Sequence, residues 1–220
     1  MRHYPLFLDL SSREVLVAGA GSVGRRKIRT LLKVPVKRIT VVDPRPPRPP
    51  LPEAANLFFL ERPFAPEDLD GKSLVFAATD SPEVNARLVS LCAQRQIWCN
   101  RADRPESGAF FVPAHAESDG ITIAVGTEGK SPALAGVIRH DLENRLKNRY
   151  GPLLLVLGRL RPPLLALPEV SDPAGVLRAL LASPLAEALE RKDRAGAEDL
   201  LRRHLPDVLR PHIRELLHDL

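Results

Sequence analysis

The stretch Val15-Leu16-Val17-Ala18-Gly19-Ala20-Gly21-Ser22-Val23-Gly24 decides the fold of this chain. An unbroken apolar run that ends in glycine is typical of a strand buried on both faces of a parallel sheet. The glycines that follow have the spacing G-x-G-x-x-G, which allows a tight turn, a close approach to a pyrophosphate and close packing of a helix on a strand. We therefore predict a strand-turn-helix unit whose helix N-terminus, at Ser22 and Val23, faces the phosphates of a dinucleotide.

The next strand, Ile39-Thr40-Val41-Val42, ends at Asp43 and Pro44. An acidic residue about twenty positions beyond the third glycine can accept hydrogen bonds from the adenosine ribose and would repel a 2′-phosphate. Asp43, with Pro44 beside it, therefore predicts NAD rather than NADP as the cofactor. Two alternatives stay open, because Arg45 and Arg48 could weaken that preference and Asp43 could be only a turn former.

Strands and helices continue to alternate up to about residue 112. Strands are predicted at residues 57–60, 74–78 and 97–99, and a helix is predicted from Ser81-Pro82 to about Arg95. This alternation is typical of the α/β class and predicts a Rossmann-type, doubly wound parallel sheet.

Three polar residues follow strands of this sheet at the edge where Rossmann ligands bind. They are Thr79, Asp80 and Asn100. We predict that they contact the cofactor, although helix capping explains Thr79 and Asp80 almost equally well.

The pattern changes in the second half of the chain. Residues 110–112 and 121–125 predict a hairpin-like pair of strands, and Ser131-Pro132 begins a helix. Beyond Gly151 the sequence is rich in leucine and helical in period, with one segment predicted over residues 176–189. We predict an NAD-binding Rossmann domain over residues 1–112, a short β/α segment over 113–149 and a helical C-terminal domain over 150–220.

Composition limits the classes of function. The formal charge of +5 is spread among acidic residues, which argues against nucleic acid as a partner. The N-terminus has no signal-peptide core, and the most apolar run, residues 153–157, is too short to span a bilayer. Cys92 and Cys99 form no C-x-x-C pair, so we expect a cytoplasmic protein without disulfides. The six histidines are scattered and predict no resident metal site.

Several segments in a fixed order are more specific than the glycine motif. Together the chain resembles the precorrin-2 dehydrogenase/sirohydrochlorin ferrochelatase family, which includes the dehydrogenase domain of siroheme synthases. Besides the glycine loop, the segments that carry this resemblance are Tyr4-Pro5-Leu6-Phe7-Leu8-Asp9-Leu10, Arg26-Lys27, Ala77-Ala78-Thr79-Asp80, Val84-Asn85, Trp98-Cys99-Asn100-Arg101-Ala102-Asp103, Phe111-Val112-Pro113-Ala114, Ile123-Ala124-Val125, Gly129-Lys130-Ser131-Pro132-Ala133-Leu134-Ala135 and Ile138-Arg139.

The resemblance implies oxidation of precorrin-2 to sirohydrochlorin with NAD as the hydride acceptor, and in some members the insertion of Fe²⁺ or Co²⁺. It also implies a homodimer built through the β/α segment, and it puts the family's essential aspartate at Asp103. A carboxylate near the nicotinamide could serve as general base. The alternative is a solvated loop aspartate beside Arg101 and Arg104.

The substrate that the resemblance implies carries eight carboxylates, so the positive net charge could serve its binding. Candidate partners are Arg101, Arg104, Lys130 and Arg139. In the same region Ser131 is most simply a helix N-cap, and Thr127 lies in the loop where one family member carries a regulatory phosphoserine.

Two positions depart from what is often found in the family. Asp119 replaces an arginine, whereas Gly24 restores a glycine where alanine is common.

A second hypothesis is a non-catalytic module that senses NAD and regulates a partner. If the chain is complete, its 220 residues leave no room for a methyltransferase domain, and we then expect no fused siroheme synthase.

Overall fold

The computed structural model describes residues 3–220 of the chain. The chain divides into two compact units, one ending at Val112 and the other beginning at Pro113. The predicted boundary between residues 149 and 150 lies inside the second unit, where helical segments follow one another without a break.

The first unit is built on a five-stranded sheet with the strand order β3-β2-β1-β4-β5. Every neighbouring pair in it is parallel. The strands are β1 (Leu10–Ala18), β2 (Val36–Asp43), β3 (Leu57–Glu61), β4 (Leu74–Ala77) and β5 (Trp98–Arg101), and the helices are α1 (Ser22–Leu31) and α2 (Pro82–Gln94). The predicted Rossmann-type α/β fold is confirmed.

The two helices cover opposite faces of this sheet. Residues of β1 alternate between the faces, so Val15 and Val17 pack with Ile28 of α1, whereas Leu16 packs with Leu88 of α2. Burial on both faces explains why β1 is apolar at every position from Val15 to Ala18.

The strand order places the ligand-binding edge. β1 pairs with β2 on one side and with β4 on the other. The strand order therefore reverses at β1, with β2 and β3 on one side and β4 and β5 on the other. In open α/β sheets such a switch point has a crevice at the carboxyl ends of the strands, where ligands bind. Both α1 and α2 begin at that edge.

The second unit combines a hairpin with a helical bundle. The hairpin pairs β6 (Ala114–Ser118) with β7 (Ile121–Val125) in antiparallel register. The helices are α3 (Pro132–Arg145), a π-helical turn (Leu146–Tyr150), α4 (Gly151–Leu165), α5 (Pro173–Ala182), α6 (Leu185–Glu190), α7 (Arg194–His204) and α8 (Ile213–Leu216). Leucines from α4 to α8 form one buried core.

Two predicted elements are wrong. Residues 110–112 are not a strand, because Phe110 and Val112 pack on the α1 face of the sheet and the hairpin starts only at Ala114, after a proline that lacks an N–H. The predicted helix over 176–189 is two helices, since Ser183 and Pro184 separate α5 from α6.

Among the described residues, no helix is long and apolar enough to cross a membrane.

Candidate dinucleotide and carboxylate site

The glycine loop joins β1 to α1 at the crevice, and its glycines meet different constraints. Gly19 has a φ of 101°, and a Cβ there would lie 2.2 Å from the carbonyl oxygen of Ala78. At Gly24 a Cβ would lie 1.9 Å from the carbonyl oxygen of Gly19. These two glycines are therefore required by close packing of the loop itself.

Gly21 differs, because the space in front of it is open. A Cβ built at Gly21 meets only Asp80 Oδ1, at 4.0 Å. Gly21 also caps α1, and the first N–H that bonds back into the helix is that of Arg25, 2.9 Å from the Gly21 carbonyl. The preceding N–H groups, including those of Ser22 and Val23, have no intrahelical acceptor and carry the positive end of the helix dipole. This cradle fits a pyrophosphate.

Asp43 lies beside the loop and is almost completely buried. Its carboxylate accepts hydrogen bonds from the backbone N–H groups of Ala20 and Arg45, both at 2.8 Å. Asp43 thus braces the glycine loop against the end of β2, a role that the sequence spacing did not suggest. A carboxylate has about four acceptor positions, and these two bonds use only two of them. Pro44 follows it and is exposed.

An exposed ion pair spans the crevice in front of the loop. Arg45, just after β2, donates to the Asp80 carboxylate, which follows β4, over an N–O distance of 2.5 Å. Both side chains are more than 70% exposed, at 72% and 76%. The hydrogen bond and charge of Asp80 raise the pKa of Arg45.

A buried amide organises the end of β4. The Asn85 side chain is 1% exposed and lies in the first turns of α2. Its Oδ1 accepts from the Thr79 N–H and hydroxyl at 3.1 and 2.8 Å, and its Nδ2 donates to the Thr79 carbonyl at 3.1 Å. Thr79 is therefore held in place by Asn85, and Ser81 rather than Thr79 or Asp80 caps α2.

The same amide reaches Asp103, which follows β5. Asn85 Nδ2 donates to Asp103 Oδ1 at 3.0 Å. Arg101 donates to both oxygens of this carboxylate, with its Nε 3.1 Å from Oδ1 and its terminal nitrogen 2.9 Å from Oδ2. The hydrogen bonds from Arg101, above all, hold the pKa of Asp103 below its ordinary value. Asp103 is thus an oriented, ionised carboxylate whose side chain remains 31% exposed.

Asn100 is buried on β5 next to this network. Its Nδ2 donates to the Phe110 carbonyl at 2.9 Å, and Phe110 packs edge-on against Phe76. Asn100 therefore fixes the segment that leaves the sheet. On the same face Lys27 of α1 lies 5.6 Å from the centroid of the Phe76 ring, and burial lowers its pKa to about 8.

The proposed partners of the substrate carboxylates fall in both units. Arg101 is engaged with Asp103, and Arg104 is exposed on the loop that follows. In the second unit Lys130 pairs with Glu128, and Arg139 pairs with Glu143 one turn along α3.

The Thr127 to Ser131 segment forms the start of α3. Ser131 Oγ accepts from the Leu134 N–H at 3.2 Å, so Ser131 is the N-cap as expected. Thr127 bonds to the backbone of Ser131 and supports the same turn.

Asp119 lies in the hairpin turn with a φ of 52°. Its carboxylate occupies the space that a Cβ at Gly151 would need, at 2.3 Å.

Residues 3–220 contain no group of three or more His, Cys, Asp or Glu side chains that could hold a metal ion.

Comparison with known proteins agrees with this architecture. Residues 6–114 match a family described as "Putative NAD(P)-binding". The chain is 34% identical to siroheme synthase 3 of Aeromonas hydrophila, over 91% of this chain and 43% of that protein. It is 33% identical to the siroheme synthase of Thioalkalivibrio sulfidiphilus, over 95% of this chain and 42% of that protein. The chain thus spans about two-fifths of the length of these relatives.

Among solved structures, the fold matches "SirC, precorrin-2 dehydrogenase" with a TM-score of 0.69 and 23% identity, covering 92% of this chain and 98% of that one. The crevice and its glycine loop define a dinucleotide-binding protein of the Rossmann type, and the matched family supports NAD(P) as its cofactor. More narrowly, the chain is similar over most of its length to siroheme synthases and shares its fold with a precorrin-2 dehydrogenase, so the resemblance seen in its sequence is confirmed.

Two features of the site were missed by sequence reasoning. Asn85 was noted only as part of a family segment, and the pairing of Arg45 with Asp80 was not foreseen. An asparagine at the start of a helix that follows a ligand-binding strand end was the available signal for Asn85.

Proposed function

We propose that this chain oxidises precorrin-2 to sirohydrochlorin with NAD. The observation that carries the proposal is the ionised Asp103 carboxylate, held by Arg101 and Asn85 at the carboxyl end of β5. The relatives named as siroheme synthases and the fold shared with a precorrin-2 dehydrogenase support the choice of substrate.

The oxidation removes one hydride and one proton from the reduced macrocycle. When bound, NAD supplies the hydride acceptor. Gly21 and the N-terminus of α1 would hold its pyrophosphate, and Asp43 would bind the adenosine ribose beside Pro44. We propose that Thr79 and Asn100, at the ends of β4 and β5, would contact the nicotinamide side of the cofactor and that Asp103 takes up the proton. The low pKa of Asp103 keeps the base ionised at neutral pH, at the cost of proton affinity.

The test is NADH formation from precorrin-2 and NAD, measured by absorbance, together with NAD affinity by calorimetry. Asp103→Asn keeps the shape and removes the charge, so we expect turnover to fall by about 10²-fold or more while NAD still binds. Asp70→Asn is the matched control, because Asp70 is likewise a carboxylate bonded to an arginine but is exposed and lies before β4. Normal turnover by Asp103→Asn would remove Asp103 from the mechanism.

The same assay separates the enzyme from a regulatory module. Wild-type protein that binds NAD but forms no NADH from precorrin-2 would favour the NAD-sensing alternative. Adding Fe²⁺ or Co²⁺ as a substrate tests chelation, for which metal insertion must exceed the spontaneous rate.

We also propose that two chains form a homodimer through the second unit. Apolar side chains on α3 are exposed there, with Leu134 at 51% and Val137 at 66%. Exposed apolar patches of this kind often mark protein interfaces. A Val137→Glu variant that remains dimeric by light scattering would refute this interface.

A cytoplasmic location without nucleic-acid or membrane partners completes the proposal. Cys92 and Cys99 are both buried free thiols, which suits a reducing compartment. Cell fractionation of the tagged protein tests this assignment.

A further inference from the structure

The ion pair between Arg45 and Asp80 lies where cofactor phosphates approach the protein. Asp80 Oδ1 is the nearest atom to the open space in front of Gly21. Arg45 donates to the other oxygen of this carboxylate, Asp80 Oδ2, from the end of β2, 35 residues away in sequence. A carboxylate in this place opposes a pyrophosphate, because both are negatively charged.

The pair is built in a way that makes it easy to break. Both side chains are largely exposed, and exposed ion pairs contribute little to stability. The backbone of Arg45 is anchored, by contrast, because its N–H donates to the buried Asp43. The exposed side chain can therefore change its partner while the backbone stays in place. An arginine that loses one anionic partner can accept another of the same geometry, and phosphate is a good bidentate partner.

We propose that Arg45 is a phosphate ligand of the dinucleotide, and that Asp80 occupies its guanidinium until the cofactor arrives. On binding, the cofactor phosphate replaces the Asp80 carboxylate as the partner of the Arg45 guanidinium, and no covalent bond changes. Asp80 then acts as an internal competitor of the cofactor. The phosphate is either the pyrophosphate, which NAD and NADP share, or the 2′-phosphate of NADP.

The experiment measures the affinity of the full chain for NAD and for NADP by calorimetry, without precorrin-2. Its outcome is therefore independent of the proposed oxidation. Arg45→Met removes the ligand, and Asp80→Asn removes the competitor. Arg13→Met is the control, because Arg13 carries the same charge and is exposed but lies in the first half of β1, away from the carboxyl ends of the strands.

We expect Arg45→Met to weaken binding by about tenfold or more, as for the loss of one charge-assisted hydrogen bond. Asp80→Asn should strengthen binding several-fold, and Arg13→Met should change it less than twofold. Equal weakening for NAD and NADP identifies the pyrophosphate, and weakening confined to NADP identifies the 2′-phosphate.

The proposal is overturned if Arg45→Met binds both dinucleotides as the wild type does, or no worse than Arg13→Met. It is also overturned if Asp80→Asn weakens binding, because Asp80 would then be a cofactor contact. Thermal unfolding of each variant confirms that the fold is retained. A variant that unfolds leaves Asp80→Asn, a single-atom change at an exposed side chain, to decide the matter.

Discussion

Replacing Gly21 with alanine should weaken NAD binding and leave the fold intact, whereas replacing Gly24 should damage the fold itself. The difference follows from the two environments. A methyl at Gly21 meets no atom closer than 4.0 Å, whereas a methyl at Gly24 would lie 1.9 Å from a carbonyl oxygen, where ordinary contact begins near 3.4 Å.

The stability terms at Gly21 nearly cancel. Its φ of −66° suits alanine, so reduced freedom of the unfolded chain stabilises the variant by about 0.4–1 kcal/mol. Alanine is a poorer helix N-cap than glycine, which costs a similar amount of roughly 0.5–1 kcal/mol. We expect the unfolding temperature of Gly21→Ala to stay within about 4 °C of wild type.

NAD binding by Gly21→Ala should fall by at least about tenfold, because the methyl keeps the pyrophosphate from the N–H groups of the loop. Gly24→Ala should lose about 1–3 kcal/mol or more of stability, since the loop or the helix must move to remove the overlap. Calorimetric NAD titration and thermal unfolding measure both quantities. Wild-type NAD affinity in a folded Gly21→Ala protein would refute the assignment of the loop.

Three further outcomes are expected. Lys27→Met should raise the unfolding temperature at pH 7, because the charged amine of Lys27 is half-buried. Burial lowers the pKa of Lys27 to about 8, so the stability of the wild type should rise between about pH 8 and 10.5. This rise should be absent in the variant. Glu14 accepts from Lys72 at 2.8 Å and its pKa is lowered to about 2, so the stability it contributes above pH 4.5 is lost as the pH falls towards 2. Urea unfolding over this range should show a shallower decline in Glu14→Gln. Ser81→Ala removes the N-cap of α2 and should cost about 1 kcal/mol, while Ser81→Thr should retain most of that stability.

Local patterns carried most of what the sequence could predict. The glycine loop, the buried strand before it and the caps at Ser81 and Ser131 depend on neighbours within a few residues, and the structure has each of them. The predicted interruption of the αβ alternation after residue 112 also agrees with the separation into two units.

Contacts across the sheet could not be predicted in this way. Arg45 meets Asp80 only because β2 and β4 both flank β1, which is a property of strand order. Asn85 meets Asp103 across 18 residues, since α2 returns over β4 and β5. The apolar run at Phe110 predicts a strand. In the structure Phe110 packs on the face of the sheet and pairs with no strand.

The four-residue network around Asn85 limits how this site can be redesigned. The Asn85 amide oxygen accepts from Thr79, and its nitrogen donates to Thr79 and to Asp103. An aspartate at position 85 would therefore replace a donor with a second negative charge beside Asp103. A different acid or base at position 103 would also leave N–H donors of Arg101 without their present acceptor. Replacing this carboxylate with another catalytic group therefore requires simultaneous changes at positions 85, 101 and 103. Each single substitution alone would leave hydrogen-bond partners unpaired and lower activity or stability.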